Sequence, residues 1–370
     1  MKGVIIAGGP GTRLRPLTYL RPKPIVPVVN KPFLEYQVEL LRRHGISEII
    51  FCTNYMAEMI QAHFGDGSAF GVKMRYAIEE VPLGTAGAVK NAEEFFEDDT
   101  LLIFNGDVLT DFDLTAVSDF HRKSGSRVTL TLYRVPAPSP YGVIITDEAG
   151  KVREFREPSE EQKRKLAQGI VEQEGTELIN AGMYVLDSTV FRDVPSDTPY
   201  SFERQLFPSF AAADKGIYAT EATGYWLDIG RPAQYLEAHR ALLSGDVKAD
   251  IAGERSPGGW FQAGDATIGS NVMIEPTVHL GHRVQLQANV ELKGCTSVGS
   301  GCSIEEGSVL EDCVVLDNVS IGKSVHLNGC IIDSDVFIED NVAISARAVL
   351  ASGSRIGFGT RIVGNSERPA

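Results

Sequence analysis

The sequence predicts an α/β domain built on a mostly parallel sheet, followed by a parallel β-helix of hexapeptide repeats. Strand-like and helix-like stretches alternate through the first part of the chain, and an aliphatic residue returns at every sixth position from residue 268 onward. In addition, 370 residues exceed what one ordinary hydrophobic core holds. We place the α/β domain at residues 1–245, a linker at 246–264 and the β-helix at 265–370.

The alternation begins at the amino terminus. Residues 4–7 are an apolar stretch that predicts a buried first strand, and residues 32–44 predict a helix that Asn30 caps and Gly45 ends. Further elements are expected as strands at 48–53, 72–78 and 100–104 and a helix at 85–96. Such alternation implies helices on both faces of the sheet and ligands bound beyond the carboxyl ends of the strands.

The hexad array runs through the last third of the chain. Its aliphatic residues stand at every sixth position from 268 to 316, and after two one-residue slips the period continues to residue 362. Neither a helix nor an ordinary sheet has this period, whereas a parallel β-helix does, with three short strands in a coil of about 18 residues. About five coils fit. A helix is expected at 232–244, and residues 255–259 have the composition of a linker.

The composition is that of a globular chain, with 43% hydrophobic and 23% charged residues. A net charge of −14 argues against nucleic acid or an anionic membrane as a main partner. An apolar run of about 18 residues and a signal peptide are both missing, so we expect a cytoplasmic protein. Five cysteines, an odd number, favour free thiols in a reducing compartment.

Residues 8–24, GGPGTRLRPLTYLRPKP, are the most informative segment. Glycines at the turn after the first strand let backbone N–H groups approach phosphate oxygens. Up to Leu34 the chain has six basic residues and no acidic one, which suits an anionic ligand. The segment is not a dinucleotide fingerprint, because Leu14 stands where a third glycine is needed, and it is not a P-loop, because no Gly-Lys-Ser/Thr follows. Lys23 lies between two prolines, which predicts an extended backbone that fixes its ammonium group.

Two aspartates stand out among the acidic residues. Asp107 follows a glycine at the end of an apolar strand, and Asp228 lies between Trp226 and Gly230. Carboxylates in apolar surroundings are paired, strained or bound to a metal. Mg²⁺ binds through one or two carboxylates plus substrate phosphates, so two converging aspartates fit a magnesium site. The alternative is that both aspartates cap turns.

These motifs resemble those of the sugar-1-phosphate nucleotidylyltransferases, the NDP-sugar pyrophosphorylases. The resemblance rests on residues 8–18 and 22–32 and on motifs at 82–87, 105–107, 180–182 and 226–230, so it covers roughly the first 240 residues. It implies a Rossmann-like sheet of the nucleotide-diphospho-sugar transferase type and the left-handed kind of β-helix. The implied reaction is attack of a sugar 1-phosphate oxygen on the α-phosphorus of an NTP, with pyrophosphate as the leaving group and no protein nucleophile.

The resemblance also implies roles for residues of this chain. It implies a Mg²⁺-dependent transferase whose catalytic residues are Arg13, Lys23, Asp107 and Asp228, with the two aspartates holding the metal. Nucleotide binding is assigned to Ala7, Gly8, Gly9, Gly11, Thr12, Arg13, Glu79, Pro82, Gly84 and Thr85. Sugar-phosphate binding is assigned to Gly142, Arg156, Glu157, Asn180 and Gly182.

Glu79 stands where the family has its base-reading residue. A carboxylate only accepts hydrogen bonds, so it matches the adjacent N1–H and N2–H₂ donors of guanine, whereas uracil and thymine suit a carboxamide better. Residues 82–87 with their Glu-rich flanks resemble the GDP-mannose pyrophosphorylases. We therefore expect GTP and mannose 1-phosphate as substrates. Thymidylyl, uridylyl or adenylyl transfer to glucose 1-phosphate is the alternative.

The chain departs from the family at one motif. Residues 155–158 read FREP, without the lysine that the family has after the glutamate, so Arg156 or a nearby cation would have to replace it. A catalytically silent regulatory subunit of the same fold is a further alternative. Such a subunit would lose phosphate and metal residues freely, so the presence of all four catalytic residues favours an enzyme.

The β-helix poses a separate question, since hexapeptide repeats also occur in acyltransferases with a histidine base. His279, His282 and His326 are the candidates, but acyl transfer usually brings a protruding loop, and no slip of the array exceeds one residue. We expect a scaffold for a homo-oligomer instead. Cys295, Cys313 and Cys330 are 18 and 17 residues apart and are expected to stack at one corner.

Overall fold

The computed structural model describes residues 1–156, 158–167 and 175–364. The chain forms two compact units that are interleaved in the sequence. Among the described residues, the first unit comprises Met1–Pro10 and Gln37–Trp226, and the second comprises Gly11–Tyr36 together with residues 227–364. The domain boundaries expected from the sequence stay a prediction.

Strands and helices alternate through residues 1–245, as the sequence predicts. The strands are β1 (Lys2–Ile6), β2 (Pro27–Val28), β3 (Lys31–Pro32), β4 (Glu48–Thr53), β5 (Lys73–Ile78), β6 (Thr100–Asn105), β7 (Val108–Thr110), β8 (Val128–Pro136), β9 (Val143–Thr146), β10 (Val152–Arg156), β11 (Thr176–Asp187), β12 (Ile217–Glu221) and β13 (Trp226–Asp228). The helices are α1 (Phe33–Arg43), α2 (Ala57–Phe64), α3 (Gly84–Lys90), α4 (Leu114–Ser124), α5 (Glu160–Ala167), α6 (Phe207–Ala212) and α7 (Pro232–Ser244).

The helix predicted at 85–96 is shorter in the structure. α3 ends at Lys90, and a separate 3₁₀ turn covers Glu93–Phe95. Asn91 has a low helix propensity, and its side-chain amide donates to the carbonyl of Ile78 at 3.3 Å. This contact competes with continuation of the helix.

A nine-stranded sheet forms the centre of the first unit in the described residues, in the order β10-β9-β11-β6-β1-β4-β5, with β8 beside β11 and β12 beside β8. β1 pairs in parallel with β4 and β6, and β4 pairs in parallel with β5. β11 runs antiparallel to β6, β8 and β9. The predicted α/β sheet is confirmed, with an antiparallel half that the sequence did not indicate.

The parallel strands are apolar runs because both faces of the sheet are covered. Within β1, β4 and β6, almost every side chain is buried. Beside β11 an aromatic cluster forms around Tyr184, whose ring centroid lies 5.4 Å from that of Phe202 and 4.9 Å from that of Phe207. This packing fixes the position of the Tyr184 hydroxyl group.

The second unit begins with residues 11–36, where two sequence expectations fail. Lys23–Ile25 is a 3₁₀ turn, so Lys23 is not in an extended stretch. β2 and β3 form an antiparallel hairpin, and Val29 and Asn30 form its two-residue turn with φ of 46° and 60°, the positive values of a type I′ turn. Asn30 therefore does not cap α1, because it turns this hairpin instead.

The hexad array forms a parallel β-helix. Its strands, with the short β14 before them, are β14 (Glu254–Arg255), β15 (Phe261–Gln262), β16 (Ala266–Ile268), β17 (Met273–Ile274), β18 (His279–Leu280), β19 (Val284–Leu286), β20 (Glu291–Lys293), β21 (Ser297–Val298), β22 (Ser303–Ile304), β23 (Val309–Glu311), β24 (Val314–Val315), β25 (Ser320–Ile321), β26 (His326–Asn328), β27 (Ile331–Ile332), β28 (Phe337–Ile338), β29 (Ala343–Ser345), β30 (Val349–Leu350), β31 (Arg355–Ile356) and β32 (Arg361–Val363). Except for β14, which pairs antiparallel with β15, each strand pairs in parallel with the third strand after it, which gives three sheets.

The aliphatic hexad positions fill the interior of the coils. Leu280, Leu292 and Ile304 are fully buried, whereas Ile268 in the first coil is 41% exposed. The predicted column of three cysteines is reduced to two, because Cys313 and Cys330 lie 3.6 Å apart at their Sγ atoms. The strands after Cys295 and Cys313 pair with an offset of 17 residues, as Ser297 with Val314, whereas the two cysteines are 18 residues apart. Cys295 therefore lies beside Asp312, and the N–H of Cys295 donates to Oδ1 of Asp312 at 2.9 Å.

Within the described residues, no helix has the length and hydrophobicity needed to span a bilayer.

Candidate active site

In the first unit, the carboxyl ends of neighbouring parallel strands meet at one edge of the sheet. Gly8 follows β1, Asn54 follows β4, Glu79 follows β5, and Asp107 follows β6. Backbone contacts hold these strand ends together. Gly106 N–H donates to the carbonyl of Ile6 at 2.9 Å, for example. The edge where ligands bind in α/β sheets thus carries the predicted residues Ala7, Gly8, Gly9, Glu79 and Asp107.

Glu79 is a buried carboxylate, with 6% of its surface exposed. Its Oε2 accepts a hydrogen bond of 2.7 Å from the N–H of Leu83. Its Oε1 lies 3.2 Å from the point where a Cβ on Gly8 would stand, so the missing side chain of Gly8 leaves room beside this oxygen. Burial raises the pKa of Glu79, and the Leu83 N–H opposes that shift. Such a carboxylate can accept hydrogen bonds from an adjacent ligand.

The motif at 82–87 is tied to residues 198–203. Thr85 Oγ1 accepts from the N–H of Phe202 at 2.9 Å and donates to Oε2 of Glu203 at 3.1 Å. A Cβ on Gly84, whose φ is +73°, would stand 2.9 Å from the carbonyl oxygen of Tyr200. The glycine is therefore required for close backbone approach, while Pro82 is exposed.

The residues predicted to bind the sugar phosphate lie at neighbouring strand positions. Val143, which follows Gly142, pairs with both Arg156 and Ile179, and Ile179 precedes Asn180. Arg156 is exposed and forms an ion pair with Glu154 at 3.1 Å. An exposed pair of this kind is weak, so the arginine can exchange its partner for a phosphate. Glu157 lies outside the described residues.

Asn180 and Gly182 form a bulge in β11, where the register with β8 shifts. Asn180 Oδ1 accepts from Gly182 N–H at 3.0 Å, and its Nδ2 donates to the Tyr184 hydroxyl at 2.9 Å. A Cβ on Gly182, whose φ is +71°, would lie 2.7 Å from Nδ2 of Asn105. Burial and the charge of Glu203 raise the pKa of Tyr184 well above its ordinary value, and Asp107 adds to this effect.

In the second unit, residues 11–36 bring Gly11 and Lys23 together. A Cβ on Gly11, whose φ is +59°, would stand 2.8 Å from Cβ of Lys23. Thr18 Oγ1 donates to the carbonyl of Gly11 at 2.9 Å. Thr12 begins a 3₁₀ turn, Thr12–Leu14, and is exposed like Arg13.

The same unit places Arg13 against the motif that carries Asp228. The Arg13 guanidinium lies 3.2 Å from the point where a Cβ on Gly230 would stand. Asp228 is half-buried and ends β13. The glycine thus provides the space that lets an arginine lie flat on this turn.

Sequence reasoning missed Asn54 and Glu203. The amide of Asn54 donates to the carbonyl of Glu79 at 2.6 Å, and Glu203 binds both Thr85 and Tyr184. Glu203 is separated from these partners by 118 and 19 residues, so no local spacing could have indicated it.

A group of three or more His, Cys, Asp or Glu side chains able to hold a metal ion does not occur among the described residues. Asp107 belongs to the first unit and Asp228 to the second. Each is a carboxylate, the donor type that binds Mg²⁺, an ion that keeps several waters and takes further ligands from substrate phosphates.

His279 is not available as an acyltransferase base. It is fully buried, and its ring nitrogens lie 3.0 Å from Nδ2 of Asn30 and 2.8 Å from the carbonyl of Ala252. Burial lowers the pKa of His279 to about 4.

Glycine-rich turns and carboxylates at strand ends are typical of enzymes that handle nucleoside phosphates. A sequence profile described as "Nucleotidyl transferase" matches residues 2–245, and one described as "GMPPB C-terminal domain" matches residues 259–352. The chain belongs to the nucleotidyl transferase family.

Several relatives are similar over most of the chain. A UTP–glucose-1-phosphate uridylyltransferase from Synechocystis is 35% identical over 81% of this chain and 78% of its own length. A mannose-1-phosphate guanylyltransferase from Mycobacterium tuberculosis is 39% identical over 65% of this chain and 64% of its own. A probable mannose-1-phosphate guanylyltransferase from Oryza sativa is 35% identical over 80% of this chain and 81% of its own length.

Solved structures resemble part of the fold. HddC from Yersinia pseudotuberculosis, crystallised alone and in complex with GMP-PN, superposes with a TM-score of 0.54 at 31% identity. The similarity covers 64% of this chain and 97% of the HddC chain.

Proposed function

We propose that the protein is a mannose-1-phosphate guanylyltransferase, which forms GDP-mannose and pyrophosphate from GTP and mannose 1-phosphate. The observation that carries the choice of GTP is the buried carboxylate of Glu79 beside Gly8. Most of the relatives named above are mannose-1-phosphate guanylyltransferases, and the GMPPB C-terminal match supports the same choice.

Glu79 is suited to guanine because its free lone pairs face the space beside Gly8. Guanine presents two adjacent donors, N1–H and N2–H₂, whereas uracil presents one donor between two acceptors. A carboxylate would repel those acceptors. The guanine-containing ligand of HddC is in keeping with this choice.

The basic residues would neutralise the triphosphate. We assign this role to Arg13 and Lys23, and we assign the contacts of the oxyanions to backbone N–H groups of Gly8, Gly9, Gly11 and Thr12. Asp107 and Asp228 would hold Mg²⁺, which supplies positive charge to the phosphates when bound. Such transfer needs positioning and charge stabilisation and no protein nucleophile.

The sugar phosphate would lie at Gly142, Asn180 and Gly182. Arg156 is the cation proposed to replace the family's lysine, since its ion pair with Glu154 is exposed and exchangeable. Glu157 keeps its expected role as an acceptor for a sugar hydroxyl.

A second candidate is uridylyl transfer to glucose 1-phosphate. It is favoured by the Synechocystis uridylyltransferase, which matches this chain over 81% of its residues. Thymidylyl and adenylyl transfer have no comparable support among the relatives named above.

The homo-oligomer expected through the β-helix is also a proposal. Phe337 and Phe358 are 40% and 70% exposed, and both line one groove of the β-helix. A cytoplasmic location stays a prediction from the sequence.

The test is turnover by the purified full-length chain with each of five NTPs, paired with mannose 1-phosphate or glucose 1-phosphate. We expect the highest kcat/KM with GTP and mannose 1-phosphate. A higher kcat/KM with UTP and glucose 1-phosphate would establish the second candidate. No turnover with any pair, in a chain that is folded by circular dichroism, would support the silent regulatory subunit.

A further inference from the structure

The turn that carries Lys23 is anchored by a residue far away in the chain. Arg21, two positions before the Lys23 turn (Lys23–Ile25), donates from Nη2 to Oδ1 of Asp333 at 3.0 Å. Asp333 follows β27 of the β-helix. The N–H of Ser334 donates to the same oxygen at 2.7 Å, so the carboxylate is held in one orientation.

This ion pair is largely removed from water. The side chain of Asp333 is 2% exposed and that of Arg21 is 14% exposed. Burial raises the pKa of Asp333, and Arg21 opposes that shift. A buried carboxylate that loses its cation is strongly destabilising, so Asp333 holds Arg21 in its position.

The hairpin after the Lys23 turn is anchored as well. Asn30 Nδ2 donates to the carbonyl of Val298 at 2.8 Å and lies 3.0 Å from Nδ1 of His279. His279 Nε2 lies 2.8 Å from the carbonyl of Ala252, so its proton belongs on Nε2 and Nδ1 is the acceptor for Asn30. Both partners of Asn30 are residues of the β-helix.

Val29, beside Asn30 in the same turn, is held by contacts with α7. It is a fully buried β-branched residue with φ of 46°, a conformation that such residues rarely adopt. Its N–H donates to Nδ1 of His239 at 3.3 Å, and the hydroxyl of Tyr235 donates to the carbonyl of Pro27. A strained turn persists only where its surroundings over-determine it.

We propose that the Arg21–Asp333 and Asn30–His279 pairs are positioning contacts through which the β-helix fixes the Lys23 turn for nucleotidyl transfer. The inference rests on the proposed function of Lys23. The β-helix is then part of the catalytic apparatus and not only a scaffold for assembly. None of the four side chains is assigned a contact with substrate.

The test compares Arg21→Gln, Asp333→Asn and the double variant. Asp333→Asn keeps the shape and the acceptor for Ser334 while removing the charge. We expect kcat/KM to fall roughly 10- to 100-fold in each single variant, since small displacements of positioned groups have effects of that size. The double variant should be no worse than the poorer single variant, because both break one contact.

Asp340→Asn is the matched control. Like Asp333, Asp340 accepts a backbone N–H through Oδ1, in its case that of Lys323 in the preceding coil at 2.8 Å. Hydrogen–deuterium exchange is measured in parallel for the amides of residues 20–31. We expect faster exchange there in Asp333→Asn and unchanged exchange in Asp340→Asn, at a temperature where both are folded. Asn30→Gly, which keeps the positive φ and removes only the side-chain contacts, should behave like Asp333→Asn.

Equal exchange and equal kcat/KM in Asp333→Asn and Asp340→Asn would overturn the inference. If the proposed function is wrong, the wild-type chain itself should turn over no NTP. The exchange comparison would then still decide whether the pair holds the turn.

Discussion

The hydroxyl group of Tyr184 donates a hydrogen bond of 3.1 Å to Oε1 of Glu203. The same hydroxyl accepts from Asn180, and the other carboxylate oxygen of Glu203 accepts from Thr85 at 3.1 Å. The carboxylate of Glu203 thus orients Thr85, proposed for the nucleotide, and through Tyr184 it also orients Asn180, proposed for the sugar. Glu203 is a positioning residue in this network.

Glu203→Gln is expected to lower kcat/KM by about tenfold or more, because Thr85 and Tyr184 no longer donate to a charged group. In addition, the NH₂ group of the glutamine would face one of these two hydroxyl donors, so that hydrogen bond is lost. The loss should affect the KM of both substrates, because the network reaches both sets of residues. Steady-state kinetics with each substrate varied measures this. Glu94→Gln, at an exposed position, is the control and should match the wild type.

Glu79→Gln is expected to change the choice of base. A carboxamide offers a donor to the acceptors of uracil, so the ratio of kcat/KM for GTP to that for UTP should fall at least tenfold. The comparison of the two nucleotides in one preparation supplies an internal control. An unchanged ratio would mean that Glu79 does not contact the base.

The KM for GTP should also depend on pH through Glu79. Burial raises the pKa of Glu79, so it takes up a proton at a higher pH than an exposed glutamate does. The protonated group no longer accepts two hydrogen bonds from guanine, and the KM should rise as the pH falls through that range. A profile of KM against pH tests this, and Glu79→Gln should lack the rise.

Lys23→Ala and Asp107→Asn are each expected to lower kcat by roughly 10²–10³, the usual effect of losing one preorganised charge. Stopped-time assays at saturating substrate measure the loss. Lys215→Ala and Asp119→Asn change similar side chains at exposed ion pairs and should retain full turnover. Near-normal turnover of Lys23→Ala or Asp107→Asn would remove that residue from the proposed site.

Gly11→Ala and Gly9→Ala should separate folding from binding. A Cβ on Gly11 meets Lys23 at 2.8 Å with φ of +59°, whereas a Cβ on Gly9 meets nothing within 4 Å. Gly11→Ala should lower stability by roughly 1–2 kcal/mol. Gly9→Ala should keep the wild-type Tm, because its methyl group contacts no other protein atom. It should raise the KM for the nucleotide, because the methyl group would occupy the space proposed for the phosphates.

Buried histidines should make stability depend on pH. Burial lowers the pKa of His279 from 6.5 to about 4, so between these values the unfolded chain binds more protons than the folded one. The contribution of His279 to the free energy of unfolding should therefore be fully present above about pH 7 and fall as the pH drops from 6.5 toward 4. Thermal unfolding at several pH values measures this. His279→Asn, which keeps an acceptor for Asn30, should show a smaller fall.

The regular parts of the molecule follow from periodicity in the sequence. The period of six predicts the β-helix because every coil buries the same positions, as Leu280 and Leu292 do. The apolar runs of β1, β4 and β6 likewise predict strands covered on both faces.

Irregular parts depend on partners that the local sequence does not contain. Pro22 and Pro24 indicated an extended Lys23, yet a 3₁₀ turn forms there, followed by a hairpin. Asn30 is a residue type that is favoured at helix N-caps, but its partners His279 and Val298 are 249 and 268 residues away. The antiparallel β11 and the role of Glu203 also depend on distant pairing. A single sequence gives no signal for such contacts.

The contact between Arg21 and Asp333 joins residues 312 positions apart. A ribosome that adds about 5–20 residues per second delivers Asp333 roughly 15–60 s after Arg21. The segment around Arg21 thus waits for residues 312 positions further along the chain before this contact can form. A nascent or prematurely terminated chain that stops before Asp333 would carry every residue of the glycine-rich turn without this anchor, so competence for nucleotidyl transfer would be acquired only after Asp333 has been synthesised.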